Sequence, residues 1–259
     1  MRTASLRLGI ISALHQEQAG LIEAMEASQT VCAGMRDYVT GSLWGVDCVC
    51  VLSRVGKVAA AATAATLIER FKVTHIVFTG VAGSADTNVH VGDIVVAESL
   101  VQHDLNSAPL FPRFEIPLLG LSHLESHKPL TNRLMQAVAT FIESDFKHVI
   151  EVADSAALRL NAPRLHHGLI ASGDEFIHQG SKLAELKTLL PDLLAVEMEG
   201  AAVAQVCFEF GLPFAIVRTI SDNANENSAM DFIYFIKNIA ARYAFHIVKR
   251  LCQQSEINI

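Results

Sequence analysis

Apolar residues along the chain fall into two kinds of run. LRLGIIS (6–12), CVCVLS (48–53), HIVFTG (75–80), DIVVAES (93–99), HGLIAS (167–172) and FAIVRTIS (214–221) are short and rich in β-branched residues, and they predict strands. Several are apolar at successive positions, as expected where helices cover both faces of a sheet. Between them, KVAAAATAATLIERF (57–71), GAAVAQVCFEFG (200–211) and FIYFIKNIAARYAFHIVKRL (232–251) predict helices. The alternation predicts an α/β fold around a mainly parallel or mixed sheet. Its one long interruption is residues 102–130, QHDLNSAPLFPRFEIPLLGLSHLESHKPL, which hold four of the seven prolines. A loop of that length within a compact fold points to a binding loop or an interface.

Composition narrows the classes of function. Half of the 259 residues are hydrophobic, enough for a sizeable buried core. The net charge is −7 and no basic run exceeds a pair of residues, which argues against a nucleic-acid partner. The longest apolar runs fall far short of the roughly 20 residues that cross a bilayer, so no membrane span is expected. LGIISAL (8–14) is followed by HQEQ with no small-residue cleavage pattern, so no signal peptide is expected. Five cysteines (Cys32, Cys48, Cys50, Cys207 and Cys252) contain no CxxC pair, which disfavours zinc and a disulfide framework and fits a reducing cytoplasm. His103-Asp104 and His166-His167 lack the HxxxH and HExxH spacings, so no metal site is expected there.

Candidate chemistry gathers at the strand ends. SRVGKVAA (53–60) and TGVAGSADT (79–87) read as glycine turns after strands, where backbone N–H groups can approach a ligand. Neither fits GxGxxG or GxxxxGK[ST], so no dinucleotide or triphosphate cofactor is expected. Glu17 follows the first strand, Asp222 closes FAIVRTIS, and LLAVEMEGAAVA (193–204) sets Glu197 and Glu199 among apolar neighbours. A buried carboxylate is costly enough to need a reason. Ligands of open α/β sheets collect beyond the carboxyl ends of strands, so Glu17, the 79–83 turn, Glu199 and Asp222 are expected to meet in one cleft.

GIISALHQEQAGL, RVGKVAAA, FTGVAGS, VGDIVVAESLVQHD, SGDEFI, VEMEGAAVA and VRTISDNAN, in this order, resemble 5′-methylthioadenosine/S-adenosylhomocysteine nucleosidases of the nucleoside phosphorylase superfamily. The resemblance runs from about residue 7 to 250 and is weakest between 105 and 165. It implies a single α/β/α domain, 1–259, around a central mixed sheet. It also implies a homodimer, with the 102–130 segment at the interface and reaching the partner's site. The implied reaction is cleavage of the N-glycosidic bond of an adenine nucleoside, with no cofactor and no metal.

Carried over residue by residue, the resemblance makes Asp222 the general acid at adenine N7 and Glu17 the water-activating carboxylate. Glu199 would hold the ribose hydroxyls and Met198 would pack the sugar. Phe176 would stack on adenine, the Ile177 backbone would read its edge, and Ala82 and Gly83 would line the base pocket. Phe232 would close over the 5′ group, with Leu110 and Phe111 as further candidates to touch it. Where related phosphorylases carry arginine and serine or threonine for phosphate, this chain has Phe78 and Val81, which favours water as nucleophile. Nucleosidases usually carry serine where Val81 stands, so attack would rest on Glu17 and Arg218. Arg54 replaces a usual glycine and offers an anion site. A phosphorylase and an inactive nucleoside-binding protein remain the alternatives. The 5′ substituent is open among methylthioadenosine, S-adenosylhomocysteine, 5′-deoxyadenosine and aminodeoxyfutalosine. Glu197 has no derivable role beyond a structural partner.

Overall fold

The computed structural model describes residues 6–151, 154, 158, 160, 162–225 and 228–254. Among the described residues, ten strands form one continuous mixed sheet. A short helix α1 (His15–Gln18) follows β1 (Leu8–Ser12). An antiparallel pair, β2 (Glu26–Ala33) and β3 (Arg36–Leu43), then leads through β4 (Val46–Leu52) to the alanine-rich α2 (Lys57–Glu69). After β5 (His75–Ser84), β6 (Ile94–Gln102) and the two-residue β7 (Leu124–Glu125) comes α3 (Lys128–Thr140), which passes through a π turn into α4 (Phe146–Val149). The chain continues as β8 (Leu165–Ser172), α5 (Gly180–Leu189), β9 (Leu193–Glu197), α6 (Gly200–Phe210), β10 (Phe214–Asp222), α7 (Ser228–Asn238) and α8 (Ala240–Cys252).

The strand order is β10-β6-β8-β9-β5-β1-β4-β3-β2, and β10 pairs with β5 as well, so five strands close into a ring from which β1, β4, β3 and β2 extend. Strand β5 is the pivot. Along one edge it pairs with β10 from Ile76 to Gly83. Its other edge pairs with β1 only up to Phe78, and with β9 only from Gly83. Residues 79–82 therefore lie where the neighbouring strands part, and the functional groups gather at that opening.

One apolar layer joins the sheet to α2 and α6 through residues such as Ala60, Leu67, Val203 and Cys207. The other joins it to α3, α7 and α8 through Leu134, Phe235, Tyr243 and Ile247. Helix α8 buries Ala240, Tyr243, Ala244, Ile247, Val248 and Leu251, the i, i+3, i+4, i+7 stripe of an amphipathic helix. All nine residues of β10 are buried because β5 and β6 flank it and layers cover both of its faces.

The fold corrects the sequence reading in four places. Residues 79–84 are not a glycine turn but the second half of β5. The span 232–251 is two helices that break at Ile239, whose φ of −125° is not helical. Strands β2 and β3 went unread because β2 is almost wholly exposed and carries no apolar alternation. The 102–130 segment is also more ordered than a loop: it begins on β6, contains β7 paired to Ser99 and Leu100, and ends inside α3.

Candidate active site

One pocket opens at the β5 divergence. Of the candidate site residues, it is lined by Glu17, Ala82, Gly83, Phe176, Ile177, Met198, Glu199, Asp222 and Phe232, and Val81 and Glu197 line it as well. Leu110 and Phe111 do not line it; Leu110 projects into solvent at 83% exposure. Arg218 lies behind the wall rather than in it. Residues that the sequence did not single out, among them Ala13, Leu14, Val55, Val196 and Ser221, complete the lining. These five are apolar or small, Glu175 joins them, and only the fold brings them there.

Glu17 sits on α1 with its carboxylate folded back on the chain. Its Oε2 accepts N–H bonds from Ala13 (2.7 Å) and Leu14 (2.9 Å), and its Oε1 accepts one from Val81 (3.1 Å). Burial pushes its pKa up, against the lowering effects of the Arg218 charge and these three donors. Gly80 must be bare at this point. A Cβ there would lie 3.0 Å from Glu17 Oε1 and 3.1 Å from Arg218 Nη1.

Asp222 ends β10 with both oxygens engaged. Oδ1 accepts the Ala224 N–H (2.9 Å) and Oδ2 accepts the Ser221 hydroxyl (2.8 Å). Burial raises its pKa and outweighs these bonds. A Cβ on Gly83 would come within 3.0 Å of Asp222 Oδ1, so glycine leaves the floor open beneath that carboxyl.

Glu197 and Glu199 separate sharply. The buried Glu197 accepts from Arg218 Nη2 (2.6 Å) and Nε (3.1 Å), from the Gly200 N–H (2.8 Å) at the start of α6, and from the Ser172 hydroxyl. It is the structural partner expected for it. The Arg218 guanidinium also stacks on the Phe78 ring at 4.0 Å, so Phe78 occupies the space beneath it. The Glu199 carboxylate accepts one bond among the described residues, from the Gly56 N–H to its Oε1 (2.9 Å). Burial first, and the nearby Glu197 charge second, push its pKa up to about 8.

The outer wall is apolar. Phe176, Phe232, Ile177, Val55 and Met198 form it, with Phe176 and Phe232 in an edge contact at 5.8 Å. Arg54 takes a φ of +68°, the backbone form that favours glycine, and its guanidinium donates to the Met35 carbonyl (2.7 Å) between β2 and β3. It therefore supplies no anion site in the pocket. Among the described residues, no cluster of three or more His, Cys, Asp or Glu is placed to hold a metal ion, and no helix is long and apolar enough to cross a membrane.

Residues 7–253 match the family model of the phosphorylase superfamily. The chain belongs to that superfamily. Within it, the chain is a member of the 5′-methylthioadenosine/S-adenosylhomocysteine nucleosidase family. It is 34% identical to the nucleosidase of that name from Shewanella oneidensis over 98% of this chain and 99% of the relative. The Neisseria meningitidis nucleosidase, solved with methylthio-immucillin-A, superposes with a TM-score of 0.83 at 31% identity, covering 95% of this chain and 97% of that one. The Colwellia psychrerythraea nucleosidase, solved with adenine, gives 0.82 at 31% identity, covering 96% and 95%. The phosphorylase-superfamily fold and the mixed sheet expected from sequence are what the chain has.

Proposed function

We propose that this protein hydrolyses the N-glycosidic bond of 5′-methylthioadenosine and S-adenosylhomocysteine, releasing adenine and a 5-thioribose. One observation carries the choice of water over phosphate. The pocket is lined by five carboxylate side chains, Glu17, Glu175, Glu197, Glu199 and Asp222, and by no Lys, Arg or His among the described residues. The nearby guanidinium, Arg218, is spent on Glu197. A multiply charged phosphate finds no cationic fork to bind it there, whereas water finds acceptors.

Adenine leaves poorly as an anion, so a protonated Asp222 delivers a proton toward N7 as the bond breaks, and the burial that raises its pKa keeps that proton in place. Glu199 accepts from the ribose hydroxyls and Met198 packs the sugar. Glu17, held by three backbone N–H groups, takes the proton of the attacking water on the opposite face. Val81 lacks the hydroxyl of its relatives, but its N–H fixes Glu17 Oε1, so the backbone contributes to placing the base. Phe176 stacks on adenine, the Ile177 backbone reads its edge, and Phe232 covers the 5′ group. The protein acts as one domain, 1–259, in a cytoplasmic homodimer. In that dimer residues 102–130 meet the partner and carry Leu110 and Phe111 toward its site.

The test is adenine release from methylthioadenosine by the purified protein in phosphate-free buffer. Release that does not change on adding phosphate is expected. A strict phosphate requirement would sink the hydrolase, and tight binding without release would favour an inactive nucleoside-binding protein.

A further inference from the structure

Three residues outside the pocket close a ring of side-chain and backbone hydrogen bonds beside two of its walls. Lys57, the first residue of α2, donates its backbone N–H to Asp174 Oδ1 (2.8 Å) and its ammonium to Asp104 Oδ1 (2.6 Å). Asp174 in turn donates its own N–H to the other Asp104 oxygen, Oδ2 (2.9 Å). The ring ties together the SRVGK turn, the base of the 102–130 segment and the SGDEFI loop. None of its members lines the pocket.

What the ring holds is functional on both sides. One residue before Lys57, Gly56 donates the N–H that reaches Glu199. One to three residues after Asp174 come Glu175, Phe176 and Ile177 of the pocket wall. Two close fits reinforce the joint. A Cβ on Gly56 would lie 3.1 Å from Asp174 Oδ1, and the His103 ring fills the place where Gly173 would carry a Cβ. The His103 N–H also donates to the Ser172 carbonyl (2.9 Å).

We propose that Asp104 is a positioning residue for this site: through Lys57 and Asp174 it keeps the Gly56 N–H on Glu199 and the Phe176 wall in place. It does so from the root of the 102–130 segment, whose tip lies outside the pocket of its own chain. The Lys57–Asp104 pair is partly solvated, and such pairs contribute little to global stability. Losing it should alter the site while leaving the fold intact.

The inference rests on the nucleosidase reading, and the test separates the two. Asp104→Ala is expected to raise KM for methylthioadenosine about tenfold, with kcat within about threefold of wild type and an unchanged Tm. The Gly56 N–H favours the ionised form of Glu199, so its drift should also move the Glu199 inflection in the pH profile of KM upward by about half a unit or more. Lys57→Met keeps the backbone donor and removes the ammonium; it should reproduce both effects, and the double variant should be no worse than either single one. Glu69→Gln, at the exposed far end of α2, serves as control. Wild-type KM and an unmoved inflection in both single variants would overturn the proposal, as would fully additive effects. Should the wild type bind methylthioadenosine without cleaving it, the hydrolase reading falls and the ring is judged from the binding constants of the same variants.

Discussion

Replacing Glu199 by glutamine should stabilise the ligand-free protein while removing its grip on ribose. The carboxyl is buried beside Glu197, and its pKa rises from 4.5 to about 8, through burial first and the Glu197 charge second. In the unfolded chain it ionises near the ordinary value, so between these limits the folded protein binds the extra proton. Stability contributed by this group is therefore complete below about pH 4.5 and is lost as pH rises toward 8. At about 1.4 kcal/mol per pH unit, the loss is about 3 kcal/mol at pH 7 and about 5 kcal/mol above pH 8. Glutamine carries no charge and keeps an oxygen to accept the Gly56 N–H. A chain of this size gains about 2–4 °C in Tm per kcal/mol. Glu199→Gln should therefore melt about 8–16 °C above wild type at pH 7.5 and within about 3 °C of it at pH 5. Scanning calorimetry from pH 5 to 9 without ligand measures this. Parallel Tm–pH curves for the two proteins would refute the reasoning, because they would mean that Glu199 is not held protonated by its surroundings.

Two further outcomes follow from the same geometry. Asp222→Asn should lower kcat by about 10²–10⁴-fold while leaving adenine binding in place, measured by steady-state release and calorimetry, and wild-type activity should fall as pH rises through the elevated Asp222 pKa. Arg218→Met leaves Glu197 buried and uncompensated and should cost about 3–5 kcal/mol in urea denaturation, with Glu197→Gln in the same chain restoring much of it.

Eight of the nine candidate residues that line the pocket share a property: each sits in a short motif whose residue types are tied to the chemistry, such as VEMEG or RTISD, while Phe232 lies outside those motifs. Leu110 and Phe111 belong to no such motif, and they lie outside the pocket of their own chain. Glu197 was visible but uninterpretable, since its meaning depends on Arg218, 21 residues away. Lys57, Asp104 and Asp174 lie in the motifs RVGKVAAA, VGDIVVAESLVQHD and SGDEFI, but their meeting was illegible, because three polar residues spread over 118 positions form a ring only when distant segments pack together.

The sequence by itself determined the α/β alternation, the core-forming faces of α2, α6 and α8, and the three carboxylates to which the chemistry is assigned here. These are local properties, set by the period of apolar residues and by which side chains the chemistry requires. Tertiary structure alone decided that β5 changes partners between Phe78 and Gly83, and that Glu17, Glu199 and Asp222 face one opening there. It also decided their protonation. A carboxyl's pKa depends on how much water is excluded and which charges lie nearby, and both are fixed only when distant segments pack together.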